Sequence, residues 1–187
     1  MKDYAYIDPP EKIPFYIKLG LMISKRVTKK DLLVPKLLAW YPKAAISSGV
    51  MEALVAHGKE DLTPRILQLV RMQVSILVSC PFCIDMNSFE YEKSGISEEE
   101  IQVLTEKIAL EDVLSFSNRE RLAIEYTKLT TRTPVIIPAS FMEKIKAEFT
   151  EREIVVLATT AAQVNYWARM ISGLGVPPAG FTDRCDF

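Results

Sequence analysis

Residues 68–87 read QLVRMQVSILVSCPFCIDMN, from Gln68 to Asn87. In the first half, Leu69, Val70, Met72, Val74, Ile76, Leu77 and Val78 place apolar side chains on nearly every side of a helix. That is the pattern of a helix buried all round. Pro81 marks its end, because the residue before a proline is biased away from the helical conformation and proline suits the first position of a new helix. The pattern therefore predicts a helix stop at Cys80, which becomes the N-cap of a second helix with Pro81 at N1 and Cys83 at N3.

That placement carries chemistry. A helix N-terminus presents unpaired N–H groups and a partial positive charge, and both favour the nucleophilic thiolate over the thiol. Two cysteines three residues apart can also close a small disulfide once one of them is oxidised to a sulfenic acid. Cys83 and Asn87 stand at i and i+4 and share a helix face. By helical angle Cys80, Glu90 and Tyr91 turn towards the same face, while Phe82, Met86 and Phe89 turn away. The expectation is a reactive face backed by an apolar anchoring face.

On these residues the stretch resembles the core motif of the alkyl hydroperoxidase D (AhpD)-like branch of the carboxymuconolactone decarboxylase superfamily. That motif has a Glu, a Cys-x-x-Cys pair beginning twelve residues later, and a His four residues after the second Cys; Gln68, Cys80, Cys83 and Asn87 occupy those positions here. The core resemblance covers roughly residues 45–110, and Asn165–Phe181, NYWARMISGLGVPPAGF, is similar to longer, peroxidase-related members. The resemblance implies an AhpD-like helical bundle that forms homo-oligomers. It also implies a hydroperoxide substrate and an external dithiol reductant of the lipoyl- or thioredoxin-like kind. Cys83 would be the peroxidatic residue, Cys80 the resolving residue or proton donor, and positions 68 and 87 a proton relay. Gln68 and Asn87 can hydrogen-bond in that geometry but cannot ionise. Glu90, one turn beyond Asn87, is the candidate substitute acid.

Composition bounds the remaining possibilities. A chain of 187 residues with 49% apolar content and a formal net charge of −1 suits a single domain over 1–187. Within it, a core motif region at about 45–110 precedes a C-terminal helical half at about 117–175. The charges are interspersed and make no basic stripe, so no nucleic-acid partner is expected. No apolar run reaches the ~20 residues of a membrane span. The N-terminal MKDYAYIDPP is too polar for a signal peptide, and three cysteines, an odd number, argue against a secreted disulfide framework. The expected setting is cytoplasmic, where a Cys-x-x-Cys is more often redox-active or metal-binding than structural.

The chain in order reads as helices. One is expected from about Glu11 or Pro14 to Val27, with Phe15, Leu19, Met22 and Ile23 at helical spacing. Ile17 and Leu21 widen that stripe, which suits either internal burial or a contact with another subunit. Residues 31–57 read as two helices broken near Tyr41-Pro42, with Trp40, Ile46, Val50, Leu54 and Val55 as their apolar face. His57, the single histidine, precedes Gly58 and suits a helix C-terminus. Thr63 and Pro64 open the central helix, along which Gln68, Arg71, Ser75 and Ser79 form a narrow polar stripe. At ~1.5 Å per residue a straight helix puts Gln68 about 18 Å from Cys80. Gln68 can join the site only if the next helix folds back and brings Asn87 to it, as the resemblance implies, and the two then read either as site residues or as a buried amide pair satisfying each other.

The cysteine helix is expected to run to about Ser94 with Gly95 as its cap. Ser97–Glu100, SEEE, reads as a capping-box start with a solvated acidic turn, leading a short helix to about Lys107. Further helices are expected from Ser117 or Asn118 to Thr130, over Pro138–Phe149, and from Thr150 to about Ser172. Glu153-Ile154-Val155 echoes Gln68-Leu69-Val70, and Asn165 follows Glu153 at the interval that separates Cys80 from Gln68. That suggests either a degenerate second copy or a chance match. Cys185, in the tail, reads as a peripheral free thiol.

Without βαβ alternation the fold class is all-α, which argues against a thioredoxin fold despite the Cys-x-x-Cys. A structural zinc site needs four ligands. Beyond Cys80 and Cys83 only Cys185, His57 and carboxylates are available, at no characteristic spacing, so neither metal nor cofactor is expected. The leading expectation is a thiol-dependent oxidoreductase of the peroxidase or peroxiredoxin type. The alternatives are a redox sensor or weak disulfide reductase, a lactone decarboxylase-like enzyme, and a non-catalytic relative.

Overall fold

The computed structural model describes residues 4–54, 57, 62–89 and 91–182. The described residues are all-α: α1 Phe15–Thr28, α2 Leu33–Leu38, α3 Pro42–Leu54, α4 Pro64–Leu77, α5 Pro81–Asn87, α6 Glu98–Leu104, α7 Asn118–Thr131, α8 Ala139–Glu148 and α9 Glu151–Leu174. Two short 3₁₀ turns, Tyr91–Ser94 and Leu110–Asp112, flank α6. No strand occurs among the described residues.

α4 is the axis of the molecule. Thr63 caps it by accepting the Ile66 N–H at 3.2 Å, with Pro64 at the first helical position. Its side chains are apolar all round because it divides two cores. Val70 and Val74 face Ala123 and Tyr126 of α7, Ile145 of α8, and Leu157 and Ala161 of α9. Leu69 and Met72 face Tyr91, Val103, Leu104, Phe116 and Ile124 on the other side. Each such fully buried side chain stabilises the fold by about 1.5–3 kcal/mol relative to exposure. Three capping boxes, at Ser97 with Glu100, Ser117 with Glu120, and Thr150 with Glu153, start α6, α7 and α9. α9 ends at Gly175, which has φ of 66°. The Tyr6 ring lies where a Cβ on that glycine would sit, and the Tyr6 N–H bonds the Leu174 carbonyl at 2.9 Å.

Four expectations are corrected. The cysteine helix does not reach Ser94: α5 stops at Asn87, the chain turns at Ser88, and Tyr91–Ser94 is a separate 3₁₀ turn before Gly95. α6 ends at Leu104 rather than near Lys107. The acidic turn at 98–100 is not wholly solvated. Glu100 is buried, bridged by Arg65 at 2.6 Å and hydrogen-bonded by Ser115 at 2.6 Å. The apolar face assigned to 31–57 is not internal, since Trp40, Ile46 and Val50 are exposed, while the Leu54 side chain and Val55 lie outside the described residues.

The stripe on α1 is likewise outside: Phe15 is 85% and Val27 75% exposed, and Leu19, Met22 and Ile23 are exposed with them. The echo at Glu153 has a local cause. Glu153 closes the Thr150 capping box and pairs with Arg119 at 2.5 Å, while Asn165 lies inside a continuous helix and bonds Thr131 at 3.2 Å.

Candidate active site

The cysteine pair is built by the way α4 ends. Ser79 takes the left-handed conformation at φ 50°. Its N–H bonds the Ile76 carbonyl at 2.9 Å, and the Cys80 N–H bonds the Ser75 carbonyl at 3.2 Å. Those two bonds define a Schellman C-cap, which satisfies carbonyls that a helix end otherwise leaves open. Cys80 is thus the last residue of one cap and the first of the next, because it is also the N-cap of α5. Its Sγ accepts the Cys83 N–H at 3.3 Å and lies 2.7 Å from the Cys83 Sγ. Both thiols are free, and their separation exceeds the ~2.05 Å of an S–S bond.

Both sulfurs are buried, packed with Leu37, Phe82, Ala168, Ile171 and Val176. Phe82, assigned by angle to the anchoring face, is in this cluster. The Cys80 thiol is lowered to about 7. The hydrogen bond with the Cys83 thiol is the largest cause; burial opposes it, and the Cys83 amide, the Ser172 hydroxyl and the Phe82 amide add to the lowering. Cys83 is pushed up, by that shared hydrogen bond, by burial and by the charge on Cys80. α5 has only seven residues, so the specific N–H and O–H donors matter more here than a macrodipole.

The chain does fold back along α4, bringing Asn87 against the polar stripe. The two side-chain amides do not bond each other, which removes the amide-pair alternative. The Gln68 amide nitrogen donates to the backbone carbonyl of Asn87, and the Asn87 side-chain nitrogen donates to Ser75 Oγ at 3.0 Å. Ser75 in turn donates to the Arg71 carbonyl at 2.8 Å. Gln68, Ser75 and Asn87 therefore form a fixed hydrogen-bonded line with no ionisable member. His57 stands elsewhere: its Nε2 is 3.2 Å from Thr160 Oγ1 on α9, about 12 Å along that helix from Ala168 at ~1.5 Å per residue. Glu90 and Cys185 lie outside the described residues.

Sequence reasoning passed over Asp85 and Ser172 and took Ser75 only as part of the polar stripe on the central helix. Asp85 is fully buried on α5 and accepts the N–H groups of Ala179 and Thr182, each at 2.8 Å, which fastens the C-terminal loop to the cysteine helix. Ser75 orients Asn87. Ser172, exposed near the end of α9, is among the groups that lower the Cys80 thiol. Ser172 also lines a cleft of about 530 Å³ with Leu77, Val78, Thr131, Arg132 and Arg169. No group of His, Cys, Asp and Glu side chains able to hold a metal ion occurs among the described residues. No helix among them is long and apolar enough to cross a membrane.

No family model matches the chain. It is 27% identical over 178 residues to the uncharacterized protein YnjA of Escherichia coli (strain K12), covering 93% of this chain and 94% of that one. Among solved structures it is similar to an uncharacterized peroxidase-related protein from Silicibacter sp. TM1040, with a TM-score of 0.79, 17% identity, and coverage of 98% and 97% of the two chains. A second is an uncharacterized peroxidase-related protein with an alkylhydroperoxidase AhpD core from Ralstonia eutropha JMP134, with a TM-score of 0.73, 16% identity, and coverage of 97% and 94%. A substituted form of the debrominase Bmp8, in complex with 2,3,4-tribromopyrrole, matches with a TM-score of 0.78, 10% identity, and coverage of 96% and 95%. The fold of this chain is the AhpD-like helical fold of peroxidase-related proteins.

Proposed function

We propose that this AhpD-like chain is a thiol-dependent oxidoreductase that cycles Cys80 and Cys83 between dithiol and disulfide, with a hydroperoxide as oxidant and an external dithiol as reductant. The observation that carries the reading is the pair itself: two free thiols with sulfurs 2.7 Å apart, one of them lowered to about 7. A thiolate attacks the terminal peroxide oxygen, the O–O bond breaks, and the alkoxide leaves and is protonated to the alcohol. The sulfenic acid formed on that sulfur is then attacked by the second cysteine, which closes the disulfide and releases water. A lipoyl- or thioredoxin-like dithiol restores both thiols by two exchanges and leaves as its own disulfide. A reducing cytoplasm is the setting that keeps the resting pair open.

The resemblance gives the first attack to Cys83, served by positions 68 and 87. The fixed line of Gln68, Ser75 and Asn87 can position water but cannot take a proton. That observation favours a second reading, a redox sensor or slow disulfide reductase in which oxidation occurs without efficient turnover. The Bmp8 debrominase has this fold, so the fold alone does not select peroxide.

A turnover assay decides between the readings. Reduced protein is supplied with dihydrolipoamide and either hydrogen peroxide or cumene hydroperoxide. The peroxidase reading expects catalytic loss of peroxide matched by dithiol oxidation. One stoichiometric oxidation followed by arrest supports the sensor, and no oxidation at all contradicts both.

A further inference from the structure

We infer, building on the dithiol reading above, that residues 176–182 are a strap fastened over the cysteine pair by Asp85 and Lys30, and that its release admits the external dithiol to the sulfurs. Both cysteines are closed off, Cys80 being 0% and Cys83 1% exposed. Thiol–disulfide exchange requires the incoming sulfur to touch the pair, so regeneration needs an opening. The cover over the pair is of two kinds. Val34 and Leu37 of α2, and Ala168 and Ile171 of α9, belong to helices. Val176, buried in the same cluster, and Ala179, packed against it, belong to the segment after α9, which has no regular secondary structure. Ala5, the other buried member outside a helix, lies in the N-terminal arm, which the Tyr6 N–H ties to Leu174.

The strap is held at few points. Pro177 and Pro178 have no N–H to donate. No backbone–backbone hydrogen bond among the described residues ties 177–182 to the rest of the chain. The Ala179 and Thr182 N–H groups both donate to Asp85, one to each carboxylate oxygen, at 2.8 Å. Gly180, at φ 71°, bends the chain between those two bonds. On the outer side, Lys30 Nζ donates to the Gly180 carbonyl at 2.6 Å and lies 5.5 Å from the centre of the Phe181 ring. That ring also meets Phe89, at 5.8 Å between centres.

Asp85 is fully buried on α5, two residues beyond Cys83, so the fastening and the pair share one short helix. A segment held by side-chain bonds, without a backbone ladder, opens at less cost than the whole fold. Letting go at Ala179 and Thr182 lifts Val176 and Ala179 away from the pair while α4, α5 and α9 stay in place. The strap thereby keeps bulky thiols off the sulfurs between openings.

The test measures access to the thiols and does not require turnover. In a Cys185→Ser background, the reduced protein is treated with DTNB, a bulky aromatic disulfide that reports each thiol it reaches, and amide hydrogen exchange is followed peptide by peptide. Asp85→Asn leaves one acceptor oxygen and turns an NH₂ group towards the other N–H. Thiol modification should then be about tenfold faster, with faster amide exchange confined to the strap. Lys30→Met, which removes the outer contact, should quicken modification about threefold with the urea midpoint unchanged. Modification that is unchanged in both variants overturns the strap. So does modification that quickens only in step with a lower urea midpoint and faster exchange throughout the helices. Should Asp85→Asn not fold, Lys30→Met alone decides by the same criteria. If the variants quicken modification as expected but no hydroperoxide oxidises the pair, the strap stands and the dithiol reading fails. If the wild type turns over hydroperoxide and neither variant changes access, the strap fails and the dithiol reading stands.

Discussion

At the scale of single residues, the chemistry rests on which sulfur carries the charge. Cys80 is lowered to about 7, chiefly by its hydrogen bond with the Cys83 thiol, against an ordinary thiol value of 9.0. A lowered value means that the thiolate is populated at lower pH. The alkylation rate at Cys80 should therefore rise about tenfold per pH unit up to about 7 and level off above it, where an ordinary thiol would still be climbing. A profile still rising at pH 8.5 would remove the activated thiolate. Cys80 and Cys83 were legible as a Cys-x-x-Cys at a helix stop, whereas Gln68 and Asn87 were picked out only through the family resemblance, because periodicity does not show the fold-back that brings them together. Ser172 was not legible, since a lone hydroxyl carries no pattern and its effect on the Cys80 thiol arises only through the packing of α9 against α4 and α5. Asp85 was hidden for the same reason, because its partners are backbone N–H groups more than ninety residues later.

At the scale of elements, the junction between α4 and α5 and the anchoring of α6 decide how rigidly the pair is held. Ser79 holds a left-handed conformation that costs a non-glycine residue roughly 1 kcal/mol. Ser79→Gly should raise stability by about 0.5–1 kcal/mol, measured by urea unfolding, because relief of that strain outweighs the added freedom of the unfolded chain. A lower midpoint would show that the Ser79 side chain matters to the junction. α6 shows where pattern reading stops. The capping box at Ser97 was legible, but the burial of Glu100 was not, since Arg65, the residue that neutralises it, lies 35 positions earlier.

Arg65 bridges Glu100 and Glu120 at 2.6 Å each, joining α4 to α6 and α7. Arg65→Met should cost about 3–5 kcal/mol, the loss typical of removing one partner from a buried charge network. Burial alone would raise the Glu100 carboxyl, but Arg65, Ser115 and the Ser97 amide outweigh it and hold it below 4.5. A lowered carboxylate contributes stability that is complete above its unfolded value and lost as pH falls through the folded one. Acid unfolding of the wild type through this group should therefore begin only below pH 4.5, and in Arg65→Met at higher pH. Equal acid midpoints by circular dichroism would contradict that role.

At the scale of the whole molecule, α1 to α3 turn Phe15, Leu19, Met22, Ile23, Trp40, Ile46 and Val50 outwards. The helical spacing on α1 was legible in the sequence, but its direction was not, because a core stripe and an interface stripe have the same period. So large an exposed apolar surface marks an interaction site, and a second copy of this chain is the occupant we propose. Light scattering should show a homo-oligomer at micromolar concentration, and Leu19→Lys with Ile23→Lys should shift it to monomer with the helical circular dichroism kept. A monomeric wild type would contradict that role for the surface. The central claim, that this fold presents Cys80 and Cys83 as one redox unit, is tested most directly by titrating the fully reduced protein with hydroperoxide while thiols are counted and peptides mapped by mass spectrometry. The account predicts the loss of two thiols per equivalent and a reversible Cys80–Cys83 disulfide; a pair that stays reduced under excess oxidant, or a disulfide formed only through Cys185, would contradict it.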